Sequence, residues 1–267
     1  EDTKIVFESS LLFDTNEFHD IHQKFTDTLF DIRFVEESKL LARVFVGSKK
    51  NILKAPYSSP FNQVDFNPKL STEKKIEIYQ SIKHLPKLLK HESIELTSPP
   101  PFYMKDNFPI LVSSLLNCGF SIKYSDLNNY INLLDFNTKE DFLARAKHSV
   151  RKNFKKGIRA SYKFSKLKLE DFERAYEVIK INRKINGTPL HISKDHMNTI
   201  IKTFGEKISI FLVSIEETDL ASAFVFKVSP YIQLVVYWGH RNDINTNGSM
   251  ETLVINIIEE MLKNNTK

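Results

Sequence analysis

The sequence predicts an α/β protein, of the α+β kind, whose two halves each combine mostly antiparallel strands with flanking helices. Two observations support this fold class. Segments with the alternating apolar pattern of strands recur along the 267-residue chain, and segments with helical spacing separate them. In addition, each half contains a strand that leads through an irregular loop into a helix. We expect the halves to be residues 1–136 and 137–267.

The composition restricts the class of protein. An apolar content of 41% with 12% aromatic residues is sufficient for a globular core. The single cysteine, Cys118, excludes an intramolecular disulfide and a cysteine cluster for zinc. The sequence has no apolar run of about 18 residues, and its first residues, EDTKIVFESS, lack the features of a signal peptide. We therefore expect a cytoplasmic protein without a membrane span, and its oligomeric state stays open.

The first half begins with four strand patterns, at residues 4–8, 33–36, 40–47 and 51–55. A segment with three prolines, residues 56–71, is predicted to be irregular. Ser71 is predicted to cap a helix that reaches about Lys90. The next expected elements are a strand at 94–97, an extended loop over the prolines at 99–101, a helix at 107–118 closed by Gly119, and strands at 121–124 and 130–134.

A basic stretch, residues 145–168, lies near the middle of the chain. It holds ten Lys or Arg residues and no acidic residue, and because the whole chain carries +5, the remainder carries −5. The ten cations are Arg145, Lys147, Arg151, Lys152, Lys155, Lys156, Arg159, Lys163, Lys166 and Lys168. The stretch is either a solvated charged face or a surface that binds phosphate groups.

Helical spacing opens this stretch and strand spacing follows it. Apolar residues recur every four positions from Phe142 to Phe154, which predicts one continuous helix. Gly157 is expected to end that helix in the left-handed conformation. From Ile158 to Phe164 apolar and polar residues alternate, which predicts a strand directly after the helix.

The second half continues with helices and then strands. Helices are predicted at residues 169–186 and 193–204, each followed by glycine, and strands at 207–215, 220–228 and 231–238. The last predicted element is an amphipathic helix at 249–263. The loop from Gly239 to Gly248 contains four Asn or Asp residues before Gly248, and we expect it to be exposed.

Several common sites are absent from the sequence. Its seven glycines are too far apart for a GxGxxG or Walker-type phosphate loop, and no GxSxG nucleophile motif occurs. His191 and His196 lie five positions apart rather than four, and no Cys or carboxylate pair completes a metal site with them. We therefore expect no metal.

Five segments of the chain resemble those of a known protein family. The segment HSVRKNFKKGI, which begins at His148, is similar to the basic helix that opens the second half of Fem-type (FemAB-like) peptidyltransferases and their bacterial relatives. Four further segments resemble parts of bacterial members: APYSSPF from Ala55, SPPPFY from Ser98, YEVIKINRKINGTPL from Tyr176 and VVYWGH from Val235. The resemblance covers most of the chain and implies two tandem GNAT (N-acetyltransferase) folds.

The resemblance also implies a donor site. In GNAT enzymes a Gln/Arg-x-x-Gly-x-Gly/Ala loop and the following helix N-terminus hold the pyrophosphate of acyl-CoA. The stretch HRNDINTNGSM corresponds to it in this chain, with Gly248 as one glycine and Met250 in place of the other. Fem-type enzymes lack an intact loop and use aminoacyl-tRNA. The implied donor site includes Gly248 and Ser249, and the donor is acyl-CoA or aminoacyl-tRNA.

Two strands that end a GNAT fold have no counterpart in this sequence. The family adds them after the last helix, whereas this sequence stops at Lys267. We therefore expect the second GNAT-like half to lack its last strands.

Further site residues follow from the position of the family's cleft. The resemblance puts this cleft beside the strand at 231–238 and the loop after it, which selects Tyr237, Trp238, His240 and Arg241. The segment NRKINGTP precedes a Gly-x-Pro turn and adds Asn182 and Arg183, and the basic helix adds Arg151 and Lys155 for an anionic donor. For each residue, a core or surface role is the alternative. The catalytic residues stay unknown, because acyl transfer to an amine requires no fixed side-chain nucleophile.

Two functions are compatible with these residues. The first is a bacterial N-acyltransferase that moves an acyl or aminoacyl group from acyl-CoA or aminoacyl-tRNA to an amine of a cell-envelope precursor, a sugar or a peptide. The alternative is a non-catalytic GNAT-fold module that binds nucleic acid, tRNA among them, or another polyanion. The degraded phosphate loop and the missing last strands favour this alternative.

Overall fold

The structure, a computed structural model, describes residues 11–104 and 107–264, without the side chain of Asn264. The strand predicted at residues 4–8 lies outside the described residues. The chain divides into two compact units. The first contains the described residues up to Asn128 together with Val228–Ile232, and the second contains Asn129–Lys227 and the residues from Gln233 onward.

The first unit is built on a five-stranded sheet. Its strands are β1 (Thr28–Glu36), β2 (Lys39–Lys49), β3 (Ile52–Ala55), β4 (Asp65–Phe66) and β5 (Ser93–Leu96). The order is β1-β2-β3-β5, with the short β4 paired to β2, and every pairing is antiparallel except that of β3 with β5. The strands predicted around β1, β2, β3 and β5 are confirmed. The two-residue β4 corrects the prediction that residues 56–71 contain no regular structure.

The helices of this unit are α1 (Asn16–His22), α2 (Thr72–Ser81), α3 (Leu85–Leu88), α4 (Pro101–Met104) and α5 (Asn107–Asn117). Ser71 caps α2, as predicted, because its Oγ accepts a hydrogen bond from the backbone N–H of Lys74 at 3.3 Å. The predicted single helix is divided by a 3₁₀ turn at Ile82–His84, since Pro86 has no N–H to donate to the preceding turn. Gly119 ends α5 with φ +100°, also as predicted.

Two predictions for this part of the chain are wrong. The prolines at 99–101 do not fix an extended loop throughout, because α4 starts at Pro101, a position where a missing N–H is tolerated. Residues 121–124 and 130–134 form no strands. Lys123 instead pairs with Glu95 at 2.5 Å, and the Tyr124 hydroxyl lies 3.2 Å from Thr97 Oγ1, so side chains rather than a backbone ladder hold this segment near β5.

The second unit is built on a four-stranded antiparallel sheet of order β6-β7-β8-β9. The strands are β6 (Lys163–Leu167), β7 (Ile208–Ile215), β8 (Thr218–Lys227) and β9 (Gln233–His240). The helices are α6 (Lys139–Arg145), α7 (His148–Arg159), α8 (Phe172–Ile185), α9 (Lys194–Phe204) and α10 (Ser249–Asn264). Short 3₁₀ turns lie at Leu12–Asp14, Gln23–Phe25, Leu133–Asp135, Leu169–Asp171 and Gly205–Lys207.

Helices cover both faces of this sheet. On one face, Leu253, Ile257 and Met261 of α10 pack against Ala221 and Ala223 of β8. On the other face lies α8, and the Ser222 Oγ donates a hydrogen bond to the backbone carbonyl of Ala175 at 2.7 Å. The fold class is therefore confirmed. The expectation about strands after α10 lies outside the described residues, which end at Asn264. The described helices include none that is long and apolar enough to cross a bilayer.

The basic stretch differs from its prediction in three respects. The predicted continuous helix is two helices, because Ala146 and Lys147 have extended ψ angles of 151° and 148°. Gly157 lies inside α7, which continues to Arg159, and the left-handed residue is Ser161 with φ 58°. Because residues 158–159 are still helical, the strand begins at Lys163 rather than at residue 158.

Candidate functional site

Strand β9 lies at an edge of the second sheet. It contains the predicted site residues Tyr237, Trp238 and His240, and Arg241 follows it directly. Its pairing with β8 sets the face to which each side chain belongs. Trp238 pairs with Ala223 and His240 with Ala221, which both pack against α10. Since cross-strand partners share a face, Trp238 and His240 lie on the α10 face of the sheet. Tyr237 and Gly239, one position away, lie on the α8 face.

On the α8 face, Asn182 is buried against the end of β9. A Cβ atom on Gly239 would lie only 2.9 Å from Asn182 Cγ, so glycine is required for this close approach. The Asn182 Nδ2 donates to the backbone carbonyl of His240 at 2.8 Å. This hydrogen bond joins the C-terminal part of α8 to the last residue of the strand.

Three carboxamides form a closed ring at this point. Asn182 Nδ2 donates to Asn242 Oδ1 at 3.1 Å, Asn242 Nδ2 donates to Asn186 Oδ1 at 2.7 Å, and Asn186 Nδ2 donates to Asn182 Oδ1 at 3.4 Å. Each amide both donates and accepts within the ring. The ring therefore fixes the start of the loop after β9 against α8. Asn186 and Asn242 were not among the predicted site residues, although the density of Asn in both segments is visible in the sequence.

Arg183 and Tyr237 lie close enough on the α8 face to influence each other electrostatically. Burial raises the pKa of the Tyr237 phenol, and the positive charge of Arg183 partly opposes this shift. Both side chains are half-buried. At neutral pH Tyr237 is a neutral hydrogen-bond donor beside a fixed positive charge, an arrangement that can stabilise a developing oxyanion.

Arg241 begins the loop after β9, and its charge is already matched. Its Nε donates to Asp243 Oδ1 at 2.8 Å, a second nitrogen contacts Asp243 Oδ2, and its backbone N–H donates to Leu220 at 2.8 Å. The ion pair raises the pKa of Arg241 and lowers that of Asp243. Arg241 also lines a surface hollow of about 250 Å³, in which Arg174 is paired with Asp219 at 2.6 Å.

The exposure predicted for this loop is confirmed at residues 242–245 and 247. Thr246 and Gly248 are buried instead, because the loop passes under α7 before α10 starts.

The start of α10 is covered by α7. Gly248 has φ +88°, and a Cβ on it would lie 2.3 Å from the backbone oxygen of Asn153. A Cβ on Gly157 would lie 2.1 Å from Thr252 Oγ1. Helix α7 therefore contacts the start of α10 at Gly157 and at Gly248, the residue before α10. Ser249 has no exposed surface. Gly157 thus serves close helix packing, a role that its position in the sequence did not distinguish from a cap.

On the outer side of α7 the cations are exposed and mostly unpaired. All ten Lys and Arg residues of the stretch 145–168 are exposed. Among the described residues, only Lys168 has a carboxylate at salt-bridge distance, that of Glu170 at 3.5 Å. Arg145 lies over the Phe136 ring, 5.2 Å from its centroid. Arg151 and Lys155 therefore lie on a surface of concentrated positive charge.

Apart from Arg241, which is paired with Asp243 at the start of the loop, the predicted residues form three groups. Asn182, Arg183 and Tyr237 lie together on the α8 face, and Trp238 and His240 lie on the opposite face. Gly248 and Ser249 are packed under α7, whose exposed side carries Arg151 and Lys155. Adjacent residues of a strand lie on opposite faces, so the separation of Tyr237 from Trp238 follows from the predicted strand. The described residues contain no group of three or more His, Cys, Asp or Glu side chains that could hold a metal ion.

Comparisons with known proteins give matches at the level of structure. No protein-family model matches the sequence, and no curated protein matches it either. The crystal structure of FemX superposes with a TM-score of 0.63 at 10% identity, covering 95% of this chain and 81% of that chain. A second match is the C-terminal domain (DUF2156) of a proposed lysylphosphatidylglycerol synthetase from Agrobacterium fabrum, with a TM-score of 0.55, 12% identity and coverages of 94% and 71%. The chain thus shares the fold of these two structures.

Proposed function

We propose that this protein transfers an acyl or aminoacyl group to an amine and that its donor is rich in phosphate, with aminoacyl-tRNA as the best match. The observation that carries the proposal is the unpaired positive surface of α7 on a fold shared with FemX. The second structural match supports an aminoacyl donor, because the name lysylphosphatidylglycerol denotes an aminoacylated product. The acceptor class, an amine of a cell-envelope precursor, a sugar or a peptide, rests on the resemblance of the sequence to Fem-type enzymes.

The packing at the start of α10 favours aminoacyl-tRNA over acyl-CoA. In GNAT enzymes this helix start receives the pyrophosphate of the coenzyme. In this chain the backbone of α7 lies against the residues before that helix start, since a single carbon on Gly248 would lie 2.3 Å from Asn153 O, and Ser249 is fully buried. A donor that binds through many phosphates along the outside of α7 does not require this space.

The reaction would take place near the C-terminal end of β9, beside Tyr237. The amine nitrogen attacks the carbonyl carbon of the donor ester, the ester C–O bond breaks, and the donor hydroxyl leaves with the proton that the amine gives up. The neutral phenol of Tyr237 can donate a hydrogen bond to the oxygen on which negative charge develops, and Arg183 adds a positive charge nearby. Binding that holds the amine against the carbonyl would supply the rest of the acceleration.

The test replaces Arg151 and Lys155 together by glutamine. We expect weaker tRNA binding and a salt slope (log affinity against log salt concentration) that is smaller by roughly 1.5 to 2, because two phosphate contacts are lost. The matched control is Lys83→Gln with Lys87→Gln, two exposed lysines that are also four positions apart. Affinity is measured at several salt concentrations for tRNA and acetyl-CoA. Equal slopes for both double variants, or a loss confined to acetyl-CoA, would contradict the proposed donor.

A non-catalytic module that binds nucleic acid is the second candidate function. The packing of α7 against Gly248 and Ser249 favours it, because in GNAT enzymes the corresponding helix start receives the coenzyme pyrophosphate. A single-turnover assay with labelled aminoacyl-tRNA and a panel of amino sugars, peptides and lipid-linked amines distinguishes the two functions. Binding of tRNA without transfer to any acceptor of the panel would favour the module, and transfer that Tyr237→Phe reduces would favour the enzyme.

A further inference from the structure

The tryptophan of this chain occupies an unusual position. Trp238 is the single tryptophan in the sequence, and 46% of its surface is exposed although it lies in the second half of a strand. Its cross-strand partner is Ala223, a small residue, and β9 has no neighbour on its other side among the described residues. Nearly half of a large aromatic residue is thereby accessible at the edge of the sheet.

The basic stretch belongs to the same side of the second unit. Trp238 lies on the α10 face of the sheet, and α7 packs against the first turn of α10 through Asn153 and Gly157. The Asn153 Nδ2 also donates to Glu251 Oε1 at 2.8 Å. The loop that follows β9 contacts α7 at Gly248, ten positions after Trp238.

We propose that this side of the second unit binds a single-stranded segment of nucleic acid, with its phosphates on the cations of α7 and one unpaired base stacked on Trp238. The inference rests on the proposed function and concerns an unpaired segment of the tRNA donor. Because Trp238 and Tyr237 lie on opposite faces of the edge strand, the stacked base is distinct from the ester group that reacts at Tyr237. Clustered cations and an accessible aromatic ring together hold single strands, because every base offers a π-face while duplex bases are already stacked.

The exposed side chains of the basic stretch favour nucleic acid over a lipid surface. Peripheral membrane binding combines cations with several apolar side chains that enter the acyl region. Within residues 145–168 the only large apolar side chain that is exposed in the described structure is Ile158. Ten cations accompany it, and a row of phosphates matches them better than a shallow apolar insertion does.

The test uses the intrinsic fluorescence of Trp238, which reports on this position alone. Single-stranded oligoadenylate of about eight nucleotides, within the site size of single-strand binding folds, is titrated into the full chain. We expect strong quenching of the indole emission. A duplex of the same length and heparin, a polyanion without bases, should bind the cations and leave the emission nearly unchanged.

Substitution separates stacking from charge. Trp238→Ala should lower the affinity for labelled oligoadenylate about 5- to 100-fold, the range of one lost stacking contact, and Trp238→Phe should restore part of it. The control is Tyr231→Ala, which removes an aromatic ring that is 93% exposed at the turn before β9. Circular dichroism and thermal melting confirm that the variants are folded.

Each outcome has a distinct meaning. Quenching by the single strand alone, with a loss of affinity in Trp238→Ala, supports the stacking contact. Binding of tRNA that depends on Arg151 and Lys155 without quenching would overturn the stacking contact and leave the proposed donor intact. A blue shift with phosphatidylglycerol vesicles and no response to RNA would overturn it in favour of a lipid surface. If neither RNA nor vesicles bind, the proposed function fails as well.

Discussion

Single glycines decide how closely the backbone segments of the second unit approach one another. Gly157 and Gly248 allow α7 to contact the start of α10, and Gly239 allows α8 to contact β9 through Asn182. At each of these positions a methyl group would overlap neighbouring atoms. Gly187 is different, since it has φ +64° but no atom lies within 4 Å of the position that a Cβ would take. At Gly157, Gly239 and Gly248 close packing excludes a side chain, whereas at Gly187 only the backbone conformation disfavours one.

The first prediction compares Gly248→Ala with Gly187→Ala. Both substitutions put a Cβ on a left-handed residue, which costs about 1 to 2 kcal/mol. Only Gly248→Ala also places this carbon 2.3 Å from Asn153 O, and overpacking adds about 1 to 3 kcal/mol to the loss. Urea unfolding measures the free energy of unfolding of each variant. Equal losses in the two variants would show that α7 does not press on the loop.

The second prediction concerns the carboxamide ring. Asn182→Asp replaces two donated hydrogen bonds, to His240 O and Asn242 Oδ1, by contacts between oxygens. We expect a loss of about 2 to 4 kcal/mol near neutral pH, because a buried acceptor is left facing other acceptors. Burial will raise the pKa of the new carboxyl group, so the loss should shrink as the pH falls towards about 4.

The matched control for this substitution is Asn245→Asp in the same loop. Asn245 is exposed and its Oδ1 accepts from the backbone N–H of Asn247 at 3.3 Å, a role that a carboxylate keeps. Unfolding curves at neutral and acidic pH give both free energies. If Asn182→Asp is no more destabilising than Asn245→Asp, the ring does not hold the loop.

At the scale of elements, α7 is a helix whose charges oppose its own stability. Its first turn contains no acidic residue, and Lys147 at its N-cap provides no side-chain hydrogen bond. Positive charge near a helix N-terminus is unfavourable, and so are the like charges four positions apart at Arg151, Lys155 and Arg159. Such a helix is stabilised chiefly by the burial of Phe154 and by its contacts with α10, where Gly157 meets Thr252 and Asn153 donates to Glu251.

The third prediction follows from this conflict. Ser149→Glu introduces a negative charge at an exposed position of the first turn, three residues before Lys152. We expect a gain in the free energy of unfolding of about 0.3 to 1 kcal/mol at low salt, which high salt removes. The same variant should bind tRNA more weakly. Ser149→Gln, without the charge, is the control, and a gain of similar size in it would rule out an electrostatic cause.

Local pattern was sufficient to predict most elements but not their interruptions. Strands β7, β8 and β9 and helices α8, α9 and α10 lie where alternation and helical spacing put them. The break at Ala146 depends on packing. The Lys139–Glu259 ion pair at 2.6 Å holds α6 to α10, whereas α7 contacts the start of α10 at Gly157 and Gly248. Residues 121–124 have a strand pattern, yet a strand also requires a backbone partner, which pattern does not reveal.

The candidate site was predicted as a set of residues but not as an arrangement. Asn182 and Tyr237 do lie on one face of the second sheet. Because the carboxamide ring joins residues about 60 positions apart, no local pattern could reveal Asn186 and Asn242 as its other members. Gly248 and Ser249 are buried because α7 packs against them. The resemblance to GNAT enzymes did not predict this packing.

At the scale of the whole molecule, buried ionisable groups in the first unit make the free energy of unfolding depend on pH. His19 is stacked on Phe45 with ring centroids 3.7 Å apart, and its Nδ1 lies 3.0 Å from the Tyr57 hydroxyl. Burial lowers the pKa of His19 from 6.5 to about 3. Burial instead raises the pKa of Asp14, and the nearby charge of Asp65 raises it further. The two groups have opposite effects on the pH dependence of folding.

The fourth prediction uses these signs. Between about pH 6.5 and pH 3 the unfolded chain protonates His19 whereas the folded protein does not, so its contribution to stability is lost as the pH falls. Asp14 acts in the other direction, because the folded protein prefers its protonated form and its contribution is lost as the pH rises. His19→Gln should therefore flatten the acid side of the stability profile, and Asp14→Asn should flatten the decline towards neutral pH.

Free energies of unfolding at a series of pH values test both substitutions. The control is His84→Gln, at an exposed position of the same unit. An acid limb that keeps its slope in His19→Gln would show that another group causes the acid sensitivity.

The free edge of β9 also matters for the behaviour of the protein at high concentration. At the other edge of the sheet, β6 carries Lys163 and Lys166, and such lysines discourage pairing with a second sheet. Strand β9, QLVVYWGH, has no Lys, Arg, Asp or Glu. Its pairing with β8 shifts register at Val236, and a bulge of this kind twists an edge away from a flat neighbour. This extra residue therefore works against pairing of the edge with a second copy, so deleting Val236 would put solubility at risk.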